Sequence, residues 1–139
     1  MAVDFSKGVG PKILDQLQNE QVAWLTTTSA DGTPQPRLIW FVWENDEVVF
    51  YSQPGAAKVS HIARNPRVAL HFNSDPSGSS SRVLTGIAAL DPDSPGIAGN
   101  QEYLAKYGNA IARHNETPEG LAAAFSLAYR FRPERIRGW

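Results

Sequence analysis

Residues 35–43 constrain the fold more than any other part of the chain, because this stretch is apolar on both faces. In a strand, successive side chains point to opposite faces. One face carries Arg37, Ile39, Phe41 and Trp43, and the other carries Leu38, Trp40 and Val42. An antiparallel strand with one face in water alternates apolar and polar residues. We therefore expect both faces to be covered, one by a barrel interior and the other by a helix, a partner chain or a flat ligand.

Turn residues divide the rest of the chain into short strands and helices. Strands are predicted over residues 22–28, 35–43, 47–52, 67–73, 82–90 and 126–132, with tight turns at Asp31-Gly32 and Asn45-Asp46. Helices are predicted around Ile13, Leu14 and Leu17 and over residues 56–65, 100–107 and 118–124. These elements predict one α+β, mainly β domain over residues 1–139, built on a six-stranded antiparallel barrel with short flanking helices.

Composition excludes several classes of function. The chain has 14 acidic and 13 basic residues, whereas a general nucleic-acid binder needs a surplus of cations to neutralise phosphates. It has no cysteine, which excludes disulfides, thiolate catalysis and zinc–thiolate sites. Its three histidines, His61, His71 and His114, lack metal-ligand spacing. The first residues do not resemble a signal peptide, and no apolar run approaches the roughly 20 residues that span a bilayer. We expect a cytoplasmic protein that binds no metal, nucleic acid or membrane.

Three polar residues predict an anion site at the start of the helix over residues 56–65. Lys58 falls in the first turn of that helix, where unpaired backbone N–H groups and partial positive charge attract phosphate. Ser52 ends the preceding strand and supplies a hydroxyl group, and Arg37 reaches the same place from a neighbouring strand. Arg37 is expected on a buried face. A phosphate held here leaves a planar ring free to lie along the apolar strand that follows Arg37.

The order of these motifs resembles a known family. Arg37-Leu38-Ile39-Trp40, then Phe50-Tyr51-Ser52, then Lys58, then residues 64–70 (RNPRVAL) are similar to the flavin-binding split-barrel proteins of the pyridoxamine 5′-phosphate oxidase-like class. The small size and residues 131–139 (FRPERIRGW) resemble the actinobacterial branch of coenzyme F420-dependent enzymes. The resemblance implies a split barrel that works as a homodimer, with two cofactor sites at the subunit interface.

The resemblance also implies a set of cofactor-binding residues. They are Arg37, Leu38, Ile39, Trp40, Tyr51, Ser52, Ala57 and Lys58. Arg37 and Lys58 would bind the phosphate, but Ala57 stands where the oxidases have an arginine, so a tight FMN phosphate site is less favoured. Residues 135–137 (RIR) also lack the arginine–histidine pair with which those oxidases bind pyridoxal phosphate. Vitamin B6 oxidation is therefore disfavoured.

These features predict a reductase that transfers a hydride from reduced coenzyme F420, a deazaflavin, to an unsaturated small organic substrate. Two alternatives stay open: an FMN-dependent oxidoreductase of the same fold, or a non-catalytic flavin, deazaflavin or haem carrier. No pattern identifies a catalytic acid or base. Candidate cations for the acidic tail of F420 are Lys7, Lys12, Arg64 and Arg67, together with the C-terminal Arg130, Arg132, Arg135 and Arg137. The alternative for Arg130 and Arg132 is the solvent face of the last strand.

Overall fold

Seven strands form a curled antiparallel sheet in the computed structural model, which describes residues 2–139. The strands are β1 (Ala23–Thr28), β2 (Pro34–Ile39), β3 (Val42–Glu44), β4 (Glu47–Ser52), β5 (Arg67–His71), β6 (Arg82–Leu90) and β7 (Leu127–Gly138). The helices are α1 (Gly10–Asn19), α2 (Ala57–Arg64), α3 (Gln101–Arg113) and α4 (Pro118–Ala124), with a short 3-10 turn at Ile97–Gly99. The prediction of an α+β, mainly β fold is confirmed.

The order of the strands explains the curl of the sheet. Hydrogen-bonded neighbours follow the order β2-β1-β5-β6-β7-β4-β3, and every pair is antiparallel. The two end strands, β2 and β3, are consecutive in the chain, and only Trp40 and Phe41 separate them. Three residue steps from Ile39 to Val42 span at most about 11 Å. The two ends of the sheet therefore lie close together, and the sheet forms a half-barrel.

Two strand predictions were wrong. Residues 35–43 form two strands rather than one, because the ladder with β1 ends at Ile39 and the ladder with β4 begins at Val42; the sheet therefore has seven strands and not six. The last strand extends to Gly138, because its pairing with β6 runs from Tyr129 to Gly138. A bulge interrupts that pairing between Thr85 and Gly86. At Gly86 a Cβ atom would overlap the backbone carbonyl of Arg132, so the close approach of the two strands requires glycine.

The strands bury apolar side chains on both faces of one part of the sheet. The first cluster fills the barrel and includes Ile13 and Leu17 of α1, Leu25, Ile39, Phe41, Val48, Phe50, Leu70 and Phe131. The second lies under α3 and includes Val42, Val49, Tyr51, Ile97, Tyr103, Tyr107 and Ile111, with Trp40 packed against it. Residues 39–43 thus alternate between two apolar clusters. The expectation that both faces are covered is confirmed for this segment, and a helix covers the outer face.

None of the helices formed by residues 2–139 is both long enough and apolar enough to cross a membrane.

Candidate functional site

A cavity of about 260 Å³ lies where β2, β4 and α2 meet the two C-terminal helices. It is lined by Leu38, Ile39, Trp40, Tyr51, Lys58, Tyr103, Leu121 and Phe125. We call it the Trp40 cavity. Five of the eight cofactor-binding residues expected from the sequence line it, namely Leu38, Ile39, Trp40, Tyr51 and Lys58. The fold thus brings together residues from separate strands and a helix.

Of two neighbouring cations, Lys58 lines this cavity and Arg37 does not. Lys58 is half-buried, and its pKa is lowered first by burial and then by the positive charge of Arg37. Arg37 is exposed, which corrects the expectation of a buried face, and its Nη1 donates to the Pro36 carbonyl at 2.8 Å. Within residues 2–139, neither cation has a carboxylate within 4.0 Å, whereas three of the other cations do. The two neighbouring positive charges of this cationic pair, without a compensating carboxylate, favour an anion beside them.

The start of α2 adds hydrogen-bond donors beside the cationic pair. Ala56 precedes the helix in an extended conformation, and no side chain accepts a hydrogen bond from the first turn. Ala57 and Lys58 are the first two residues of the helix, so their backbone N–H groups have no partner within the helix. Unpaired N–H groups and the partial positive charge of a helix start both favour an anion.

Ser52 does not line the Trp40 cavity. Its side chain is fully buried, and its hydroxyl group donates to the Gln53 carbonyl at 3.0 Å. Its hydrogen is therefore already used within the chain, and its role in binding phosphate remains a prediction.

Stacked rings form the apolar wall of the cavity. The Trp40 indole stacks on Tyr107 with ring centroids 4.4 Å apart and an interplanar angle of 1°. Tyr51 and Tyr103 meet edge to face at 5.1 Å. Asn100 caps α3 by accepting from the Tyr103 N–H through Oδ1, so its amide nitrogen faces Tyr51 and donates to the phenol oxygen at 2.9 Å. The hydroxyl hydrogen of Tyr51 is not used by Asn100, and a ligand can accept it.

Sequence reasoning missed the wall that α3 and α4 provide. Tyr103, Leu121 and Phe125 line the cavity, yet the sequence pattern predicted only that their segments are helical. The spacing of Tyr103 and Tyr107, four residues apart, places both rings on one helix face. That signal shows which face is apolar, but it does not show which strand the face contacts.

Some of the other candidate residues have structural partners, and Arg132 lies exposed on β7 as the solvent-face alternative expected. Arg130 contacts Asp91, Glu44 and Glu47, so it is a partly exposed, ion-paired side chain and not a free cation. Arg67 lies 3.9 Å from Glu134, and Lys7 lies 3.7 Å from Asp4. His61 shares a hydrogen bond of 2.9 Å with the Thr27 hydroxyl, and His71 stacks on Trp24. In the part of the chain that is described, no three acidic or histidine side chains form a metal-binding group.

Comparison with known proteins identifies the family. Residues 9–139 match the family described as pyridoxamine 5′-phosphate oxidase. The chain belongs to this family. A pyridoxine/pyridoxamine 5′-phosphate oxidase from Sodalis glossinidius (strain morsitans) is 34% identical over 58 residues, which are 41% of this chain and 27% of that protein. The chain thus matches only about a quarter of the length of this relative, so the activity of the whole enzyme does not transfer with the family.

Solved structures that superpose on this chain have the same fold. An F420 reductase is 22% identical and superposes with a TM-score of 0.64, over 88% of this chain and 94% of that one. HutZ, the haem storage protein of Vibrio cholerae, is 18% identical with a TM-score of 0.64, over 94% of both chains. At such identities the likeness shows the fold alone. Because one fold carries both functions, the function of this oxidase-family member has to be argued from its site.

Proposed function

We propose that this member of the pyridoxamine 5′-phosphate oxidase family is a reductase that uses coenzyme F420. The observation that carries the proposal is the cationic pair, Arg37 and Lys58, at an uncapped helix start that opens on the aromatic Trp40 cavity. A cofactor with a phosphate and a flat tricyclic ring matches this arrangement, because the phosphate suits the cations and the helix start and the ring suits the aromatic cavity. Reduced F420 supplies a hydride, here to an unsaturated small organic substrate.

The residues of the chain bind and orient the cofactor in this proposal. Arg37, Lys58 and the first N–H groups of α2 bind the phosphate, because charge-assisted hydrogen bonds are the strongest available to an anion. Leu38, Ile39 and Trp40 lie along one side of the ring. Tyr103 and Phe125 also line the cavity, and a ring bound against them would be shielded from water, which strengthens electrostatic interactions there.

FMN is the second candidate, because the family description and the Sodalis relative both point to flavin chemistry. We favour F420 because Ala57 heads α2 and leaves Lys58 as the single cation in the first turn, where the oxidases that this chain resembles have two. An F420 reductase shares the fold, so the fold itself is compatible with this cofactor.

Titration of F420 and FMN side by side, followed by ring fluorescence, tests the proposal. Lys58→Met is expected to weaken F420 binding about tenfold or more, or about 1.4 kcal/mol, because it removes one of the two cations. Arg113→Met is the matched control, since it removes one positive charge from the exposed last turn of α3. Equal affinity of the wild type and Lys58→Met would contradict the proposed phosphate site, and tighter binding of FMN than F420 would favour the second candidate.

We also propose that a second copy of the chain completes the site. The Trp40 cavity, at about 260 Å³, is smaller than the roughly 300–1,000 Å³ of most ligand pockets, so one protomer does not enclose both cofactor and substrate. Leu38 lines this cavity and is 51% exposed. A partner that covers Leu38 would enlarge the enclosed volume and bury an apolar side chain.

Leu38→Asp and Leu90→Asp form a matched test of this homodimer, because the two leucines are 51% and 50% exposed and only Leu38 lines the cavity. Leu38→Asp is expected to give monomers in light scattering and to weaken cofactor binding, since it places a charge in the interface. Leu90→Asp should leave both properties unchanged. A wild-type protein that is monomeric at assay concentration would refute the dimer.

A further inference from the structure

The chain breaks its strand pairing at Trp40 and Phe41, next to the Trp40 cavity. The ladder of β1 with β2 ends at the pair Ala23–Ile39, and the ladder of β3 with β4 begins at the pair Val42–Val49. Phe41 is fully buried, and a buried backbone N–H or carbonyl without a partner is strongly disfavoured. Something other than the sheet has to satisfy the backbone of Phe41.

Two consecutive residues of α3 satisfy it. The Phe41 N–H donates to the hydroxyl oxygen of Tyr107 at 2.9 Å, and Lys106 Nζ donates to the Phe41 carbonyl at 2.8 Å. The Tyr107 hydroxyl has a single hydrogen, and it donates most closely to the Gln21 carbonyl at 2.7 Å. Tyr107 thus joins the chain just before β1 to the break between β2 and β3.

The same two side chains contact the rings at the break. The Tyr107 ring stacks on the Trp40 indole, and the Lys106 ammonium lies 3.8 Å from the centre of the Phe41 ring. Trp40 and Phe41 point to opposite sides of the chain, so α3 holds the segment through its backbone and through both rings. Little freedom remains for the Trp40 ring plane.

We propose that Lys106 and Tyr107 are positioning residues for the cofactor ring: they hold the backbone of Phe41 and thereby fix the orientation of the Trp40 indole in the cavity wall. Neither residue lines the Trp40 cavity, so each acts through Trp40. The effect on cofactor binding rests on the proposed function. The effect on the orientation of Trp40 does not, and the two parts can therefore be tested separately.

The test measures the indole N–H resonance of Trp40 without ligand and the dissociation constant of F420 with ligand, both at pH 7. Trp40→Phe assigns the resonance among those of the four tryptophans. Tyr107→Phe keeps the ring and removes the hydroxyl, and Lys106→Met keeps the side-chain length and removes the ammonium. Burial lowers the pKa of Lys106 to about 8, so the amine is still protonated at pH 7. Arg113→Met, on the same helix, is the control.

Both variants are expected to shift the Trp40 resonance and to weaken F420 binding about fivefold, the ratio that matches the loss of one net hydrogen bond. The control should leave both readouts unchanged. If Tyr107→Phe does not fold, Lys106→Met still decides the question, because Lys106 is only partly buried.

The inference is overturned if Lys106→Met and Tyr107→Phe leave the resonance where it is, or if the resonance moves while F420 binds as tightly as to the wild type. If the wild type binds neither F420 nor FMN and the resonance still moves, the proposed function fails, but the positioning of Trp40 by α3 is supported.

Discussion

Arg130 and the cationic pair differ in how the chain compensates their charge. Arg130 Nε lies 2.9 Å from Asp91 Oδ2, and its two terminal nitrogens lie 3.4 Å from Glu44 and 3.6 Å from Glu47. Arg37 and Lys58 have no carboxylate within 4.0 Å among residues 2–139. Arg130 is surrounded by carboxylates from three segments of the chain, whereas Arg37 and Lys58 have only each other as a charged neighbour in the described part of the chain.

The pKa values of Arg130 and Lys58 record this difference. Burial by itself lowers the pKa of Arg130, but hydrogen bonds to Asp91 and Glu44 and the charges of those groups raise it overall. Burial and the neighbouring Arg37 both lower the pKa of Lys58. The folded chain therefore stabilises the charge of Arg130 and disfavours that of Lys58. We conclude that Arg130 serves the fold, whereas the charge of the cationic pair is what the proposed cofactor phosphate would compensate.

Removing Arg130 should give the largest effect on stability. Arg130→Met leaves three carboxylates close together without a cation, so we expect a loss of about 2–3 kcal/mol in the free energy of unfolding. Chemical denaturation measures it. Arg132→Met, at an exposed position two residues further along β7, should change that free energy by less than about 0.5 kcal/mol. Equal losses in the two variants would show that the carboxylates around Arg130 do not matter.

Removing Arg37 should give the reverse result. Arg37→Met takes away a cation that no carboxylate compensates, so the free energy of unfolding should stay within about 0.5 kcal/mol of the wild-type value. F420 binding should weaken about tenfold, or about 1.4 kcal/mol. Calorimetry and denaturation on the same sample measure both quantities. A variant that loses stability but keeps its affinity would reverse the roles assigned to the two groups of cations.

Changing the pH should give the smallest effect, with opposite signs for stability and binding. Between the lowered pKa of Lys58 and its ordinary value of 10.5, the unfolded chain binds more protons than the folded chain. The contribution of Lys58 to the free energy of unfolding therefore rises with pH in this window, by less than about 1 kcal/mol, because solvent still reaches the side chain. Anion affinity should fall over the same window as Lys58 loses its proton.

Subtracting the values of Lys58→Met from those of the wild type isolates how Lys58 changes stability and anion affinity with pH. Lys106, with its pKa lowered to about 8, is present in both proteins and cancels. Both slopes should be absent below the lowered pKa of Lys58, where the side chain is protonated in the folded and the unfolded chain, and the affinity difference between the two proteins should be largest there. A stability difference that declines with rising pH would contradict the origin assigned to the shift.

Local sequence patterns were sufficient for most of the elements. The turn at Asn45 and Asp46 formed with positive φ at both residues, as a two-residue hairpin turn requires. Helix α2 begins after Pro54-Gly55 and ends before Pro66, because proline disfavours helix at the residue before it. Five of the expected site residues share one cavity, because the ends of β2 and β4 and the start of α2 are close together in this family's fold.

The predictions that were wrong concern partners distant in sequence. The break at Phe41 depends on Tyr107, 66 residues away, and the exposure of Arg37 depends on how β2 sits at the end of the ladder. The length of β7 depends on its register with β6. Helical spacing showed that α3 and α4 have apolar faces, but nothing in those segments indicates that they cover the site.

The sequence by itself determined where most strands and helices form, because turn residues, helix starts and side-chain alternation act over a few residues. It also determined that a cation, an uncapped helix and an aromatic strand come from neighbouring elements. Only the tertiary structure decided which charges are compensated and which rings enclose the cavity, because both depend on contacts between segments that meet only when the sheet curls.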